Sequence, residues 1–210
     1  TGTMLSRDEL AALATACAVN NTALISDEIY HGISYDSAAI SALSVTDDVY
    51  VINSFSKYFS MTGWRVGWMV VPEDHVRRVE RLAQNMFICP SHASQALALA
   101  AFECRDELDS HLDVYAANRD VLMAGLAAAG LTKYAPPDGA FYVYVDVSDY
   151  TDDARAFSAQ ILAQAGVAVT PGLDFDPVEG HKWLRLSYAR STADITEGVA
   201  RLQKFMDSLR

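Results

Sequence analysis

The sequence predicts an α/β protein: a mostly parallel, mixed sheet among helices, followed by a smaller α+β unit. Three observations carry that expectation. Short apolar runs at residues 22–26 and 49–53 are separated by about 20 residues, enough for a crossover between parallel strands. Segments of helical period flank them. Beyond Gly130 the pattern changes to strict alternation, as in "AFYVYVDV".

In chain order the first element is a helix. Ser6 and Glu9 form a capping-box pattern, and from Arg7 to about Ala18 leucines and alanines recur at helical spacing. "TALIS" reads as a buried strand with Asp27 at its end, and "VYVIN" as a second with Ser54 at its end. If the two are parallel, Asp27 and Ser54 share one rim, the place where open α/β sheets hold ligands. The next apolar run, "WRVGWMVV", follows after only about ten residues, too few for a crossover helix. It is expected to run antiparallel from the same rim, which returns Arg65 towards Ser54 and Lys57. Pro72 closes that strand, and helices are expected over about 74–87, 92–104 and 106–129, the last stopping at Gly130. "AFYVYVDV" then reads as a half-exposed strand, residues 152–165 as a helix, and "VAVTPG" and "KWLRLSYA" as short strands. Ile195, Val199, Leu202 and Met206 share one face of a final helix. Domains are placed at residues 1–120 and 121–210.

With 210 residues, 51% of them hydrophobic and 20% charged, the chain can bury one or two cores and is not of disordered composition. Sixteen Lys and Arg against 27 Asp and Glu give a net charge of -11 with no basic run, which argues against nucleic acid or an anionic membrane as partner. The cysteines, Cys17, Cys89 and Cys104, are odd in number and lack zinc-like spacing, and no signal peptide or transmembrane run is present. A reducing, cytoplasmic setting fits best. The five histidines lie too far apart in sequence for a local metal pair, so no metal site is expected. The opening "TGTMLSRDEL" starts a helix almost at once, like the turn after an earlier strand, so a fragment of a longer chain is expected.

"SFSKYFSMTGWRVGW" sets Lys57 and Arg65 eight residues apart among hydroxyls and large rings. Cations in such surroundings need an anionic partner. Together with "SDEIY" before it and "WLRLSYAR" after it, in this order and spacing, the segment resembles the aspartate-aminotransferase family of pyridoxal-phosphate enzymes, fold type I, class I/II. The likeness covers Thr1 to Arg210. It implies part of that family's large domain with its mixed sheet, the small C-terminal domain, pyridoxal 5'-phosphate as cofactor, and a homodimer. The implied reaction moves an amino group from an amino acid to a 2-oxo acid by a ping-pong course.

The resemblance implies a role for each matching residue. Lys57 would carry the Schiff base, since only a primary amine can form an imine with the cofactor aldehyde and then shuttle the substrate Cα proton. Arg65 would hold the phosphate through its planar fork, with Ser54 and Ser56 as hydroxyl donors. Asp27 would face the pyridine nitrogen and keep it protonated, and Tyr30 would hydrogen-bond the cofactor 3-oxygen. Arg185 would clamp the substrate α-carboxylate. "VTPGLDFD" is expected at the border of that pocket. Taken singly, each residue has a plainer reading, a solvated lysine, a turn aspartate or a strand arginine; the ordered set changes it. The family's "NPTG" asparagine, its glycine-rich phosphate turn and its ring-stacking residue would all precede Thr1.

Two rival readings share these residues. Carbon–sulfur β-lyases use the same lysine, aspartate and arginine, although a histidine often follows "DEI" there. An effector-sensing, non-catalytic aminotransferase-like domain of a transcription regulator would carry its DNA-binding part N-terminal to this segment.

Overall fold

The computed structural model describes residues 1–209, which fall into two compact units, Met4–Asp109 and residues 110–209, the latter joined by Thr1–Thr3. The fold is the mixed α/β arrangement expected.

The first unit opens with α1 (Arg7–Val19), capped as predicted: the Ser6 hydroxyl accepts from the Glu9 N–H while the Glu9 carboxylate accepts from the Ser6 N–H. Strands β1 (Ile25–Asp27), β2 (Tyr50–Ser54) and β3 (Gly67–Val70) form a sheet in that order. β1 and β2 are parallel with Asp27 opposite Ile52, and β3 is antiparallel to β2 with Gly67 opposite Ser54. The connection from β1 to β2 contains a short 3-10 turn, Ala42–Ser44, and no α-helix. Leu10 of α1 packs with Ala42, Val49 and Val51, so the helix covers β2. Then come α2 (Val76–Met86), α3 (His92–Ala101) and the first turn of α4 (Arg105–Ala128).

The strand "TALIS" is shorter and more exposed than its composition implies. Ile25 is 64% exposed, and all four residues of β3 are exposed as well. Runs apolar on both faces suit strands covered on both sides, and the described residues cover these only in part.

The second unit holds the rest of α4, an antiparallel sheet and two helices, α5 (Ala154–Ala165) and α6 (Thr192–Asp207). Its strands are β4 (Tyr134–Ala135), β5 (Tyr142–Asp146), β6 (Thr170–Pro171) and β7 (Trp183–Ser187), in the spatial order β4-β5-β7-β6. The register makes the two faces different. Val143, Val145, Leu184 and Leu186 are all buried, with Phe157, Ile161, Leu202, Phe205 and Met206 of the helices also in the core. The other face carries Tyr142, Tyr144, Trp183 and Arg185. "VAVTPG" forms only two residues of strand, because it lies at the edge and Pro171 has no N–H to donate. Among the described residues no helix is long and apolar enough to cross a membrane.

Candidate active site

The parallel pairing of β1 and β2 puts their carboxyl ends on one rim. The Glu28 N–H continues the ladder by donating to the Ile52 carbonyl at 2.8 Å, so Asp27 is held beside β2 by backbone bonds on both sides. Asp27 is exposed, and one of its carboxylate oxygens accepts from the Ile29 N–H at 3.3 Å. Three residues on, Tyr30 lies under the lysine: the Lys57 Nζ is 5.3 Å from its ring centroid.

Lys57 rides on a loop closed upon itself. Phe55 N–H donates to Val66 O, Met61 N–H to Phe55 O, and Ser60 N–H to Lys57 O, while the Thr62 hydroxyl donates to Ser56 O at 2.6 Å. Phe55 and Met61 are buried and pin the loop into a cluster with Ala98, Phe59 and Val66. The Ser54 hydroxyl accepts from the Ser56 N–H at 2.9 Å, which sets the two hydroxyl residues next to one another. At the loop's far end Arg65 adopts φ 51, the left-handed region, and donates to Thr62 O at 2.8 Å. That conformation costs a non-glycine residue roughly 1–2 kcal/mol. The closure of the loop holds Arg65 in it and keeps its exposed guanidinium at the strand-end rim. Ser54 also borders an open cleft of about 410 Å³ lined by His31, Gly32, Tyr58, Arg105 and Asp109 among others.

The unit Met4–Asp109 thus gathers Asp27, Tyr30, Ser54, Ser56, Lys57 and Arg65 on adjoining strand ends and the loop between them. Arg185 belongs to the other unit, on the aromatic-lined face of its sheet. Its guanidinium carbon lies 4.2 Å from the Tyr142 ring centroid and 4.1 Å from that of Phe175.

Sequence reasoning missed the residues that hold this rim. Glu28, only 4% exposed, accepts on one oxygen from Ser26, Ser41 and the Ala42 N–H, and its other oxygen meets His31 at 3.3 Å. Tyr58, directly after Lys57, donates to Asp109 at 2.6 Å. The signal for Glu28 was weak, an acid in an apolar stretch whose partners come 13 and 14 residues later.

The profile of the aminotransferase class I and II family matches residues 1–202. The chain belongs to that family. Among its relatives is the valine–pyruvate aminotransferase of Mycobacterium tuberculosis, 45% identical across 99% of this chain and 55% of the relative. An aspartate aminotransferase of Sulfurisphaera tokodaii is 34% identical over 89% of the chain and 48% of its own length. A Silicibacter pomeroyi protein solved as a candidate aminotransferase superposes with a TM-score of 0.96 at 65% identity, covering 99% of this chain and 56% of that one. The chain therefore spans about half the length of these aminotransferase relatives.

Proposed function

We propose that this chain is the C-terminal half of a pyridoxal-phosphate-dependent aminotransferase that moves an amino group between an amino acid and a 2-oxo acid. In this reading residues 1–120 hold the cofactor and residues 121–210 bring the substrate arginine. The observation that carries it is the rim itself: Lys57 over Tyr30, with Asp27, the paired Ser54 and Ser56, and Arg65 on the neighbouring strand ends of an aminotransferase-family chain.

The donor set fits the cofactor. A primary amine, two adjacent hydroxyls, a guanidinium and a carboxylate match an aldehyde, a phosphate and a basic ring nitrogen in chemistry and number. When bound, pyridoxal phosphate supplies an aldehyde carbon and a ring that takes up electrons. Lys57 provides the nucleophilic amine and afterwards holds and moves a proton at Nζ. Asp27 would face the ring nitrogen and favour its protonated form, and Tyr30 would donate to the ring oxygen. Ser54, Ser56 and Arg65 hold the phosphate, and Arg185 orients the substrate by its α-carboxylate. The two half-reactions use the same lysine in turn, a ping-pong course. With the reading go a homodimer and a cytoplasmic setting, the latter supported by three free cysteines. The donor and acceptor to assay first are valine and pyruvate, the pair named for the 45% identical relative.

Borohydride treatment of the cofactor-loaded, full-length protein is expected to fix the cofactor on Lys57, and Lys57→Ala is expected to lose at least about 10²- to 10⁴-fold in turnover. Peptide mapping that finds the label on Lys133, Lys182 or Lys204 overturns the assignment.

A further inference from the structure

The surroundings of Arg185 are built more closely than an arginine on an open sheet face requires. Across the β5–β7 pair Tyr144 stands opposite Arg185 and Tyr142 opposite Ser187, so Tyr142 is the diagonal neighbour of the arginine on the same face. Tyr144 stacks on Trp183 with centroids 4.9 Å apart and planes 3° from parallel, which gives that face a rigid aromatic floor. Phe175 comes from a different element, the loop after β6, and its ring meets Tyr144 edge-on at 6.4 Å.

The loop is not free to carry Phe175 elsewhere. Gly172 and Gly180 approach so closely that a Cβ on Gly172 would lie 2.5 Å from the Tyr144 hydroxyl and 2.6 Å from the Gly180 carbonyl. Phe175 N–H and Asp176 N–H both donate to Gly172 O, and the Asp176 carboxylate accepts from the N–H groups of Val178 and Glu179. These backbone bonds hold the Asp176 carboxyl below the usual carboxylate range. The Phe175 ring is thus delivered against the guanidinium by a loop whose geometry is closed at both ends.

The Nε of Arg185 is buried and has no hydrogen-bond partner. A sealed Nε leaves the pair of terminal nitrogens as the edge of the guanidinium that can meet a ligand. We propose that Phe175 is a positioning residue for the substrate carboxylate: with Tyr142 it fixes the plane of Arg185 so that the two terminal nitrogens present a preformed, end-on fork. This rests on the substrate role proposed above for Arg185. Stacking on arginine holds a planar cation at little entropic cost, and an arginine fixed before binding need not be ordered by the substrate. The ring touches no reacting atom, so its effect belongs in binding.

The test uses the full-length, cofactor-loaded protein with Phe175→Ala and Phe175→Tyr. Two quantities are read: calorimetric affinity for isobutyrate, a carboxylate without an amino group, and the steady-state constants with valine and pyruvate. Phe175→Ala is expected to weaken isobutyrate and raise the KM for valine by roughly five- to thirtyfold, with kcat within about twofold and the cofactor absorption unchanged. Phe175→Tyr, which keeps the ring, is expected to restore both. An unchanged isobutyrate affinity in Phe175→Ala, or a fall in kcat with KM unmoved, overturns the proposal. If the wild-type protein binds isobutyrate yet transaminates nothing, the functional reading fails, while the isobutyrate comparison still decides the role of Phe175.

Discussion

Tyr58 shows how a single side chain stabilises the lysine loop. Its phenol is pushed up to about 12, first by burial and then by the hydrogen bond it donates to the Asp109 carboxylate. Behind the ring sits Gly32, with φ +94 and room for no side chain: a Cβ there would lie 2.8 Å from the Tyr58 ring. The turn that carries Tyr30 and the loop that carries Lys57 are therefore in contact through a residue pair with no chemistry of its own. Because the folded phenol has the higher pKa, its contribution to stability is complete below about pH 10 and is lost as the pH rises from there through about 12. In an ultraviolet titration, the tyrosinate absorbance missing from Tyr58→Phe is expected to be the part that develops near pH 12. If the missing component titrates near 10, Tyr58 is not held as described.

At the scale of the element, the end of β1 depends on one buried carboxylate. Glu28 follows Asp27 directly, and its acceptors tie this strand end to the 3-10 turn at Ser41 and Ala42. A buried anion is tolerated there because both oxygens are matched by donors. Removing it leaves the Ser26 and Ser41 hydroxyls, the Ala42 N–H and His31 without their acceptor, at a cost of about 2–4 kcal/mol. Glu28→Ala is thus expected to lower the melting temperature by several degrees and to speed amide exchange between residues 26 and 42. A variant melting with the wild type would show that some other contact holds the turn. The two-faced character of β5 was legible beforehand, since alternation sorts its residues onto two faces, whereas its pairing with β7 came only with the fold. The Phe175 loop was not legible, because closeness of Gly172 to Gly180 is a property of folded backbone and leaves no periodic trace.

The whole molecule displays apolar surface out of proportion to its core in the first unit. Ile25, Met86, Ile88 and Leu99 are 64%, 78%, 78% and 74% exposed, and β3 offers Trp68, Met69 and Val70 to solvent on an edge strand. Such faces normally mark surfaces that other chain covers. The relatives are about twice as long as this chain. The 210 residues made alone are expected to bind a hydrophobic dye, to associate in gel filtration, and to hold pyridoxal phosphate far more weakly than the full-length protein. A monodisperse monomer that excludes the dye would show that these faces need no cover.

The sequence by itself determined the family, the order of the elements, the parallel pairing of β1 with β2 and the antiparallel return of β3. Each follows from local information: the 3.6- and 2-residue periods, a connection long enough or too short for a crossover, and, for the family, three motifs in a fixed order and spacing. Through the family resemblance it also pointed to Asp27, Tyr30, Ser54, Ser56, Lys57 and Arg65, which the fold places on adjoining strand ends and the loop between them. Tertiary structure alone decided which groups hold that rim and the arginine in place. Glu28 with Ala42, Tyr58 with Asp109, and Arg185 with Phe175 are pairs brought together by folding across 14, 51 and about ten residues. Their energies come from burial and close contact, and neither exists until the chain has closed around them.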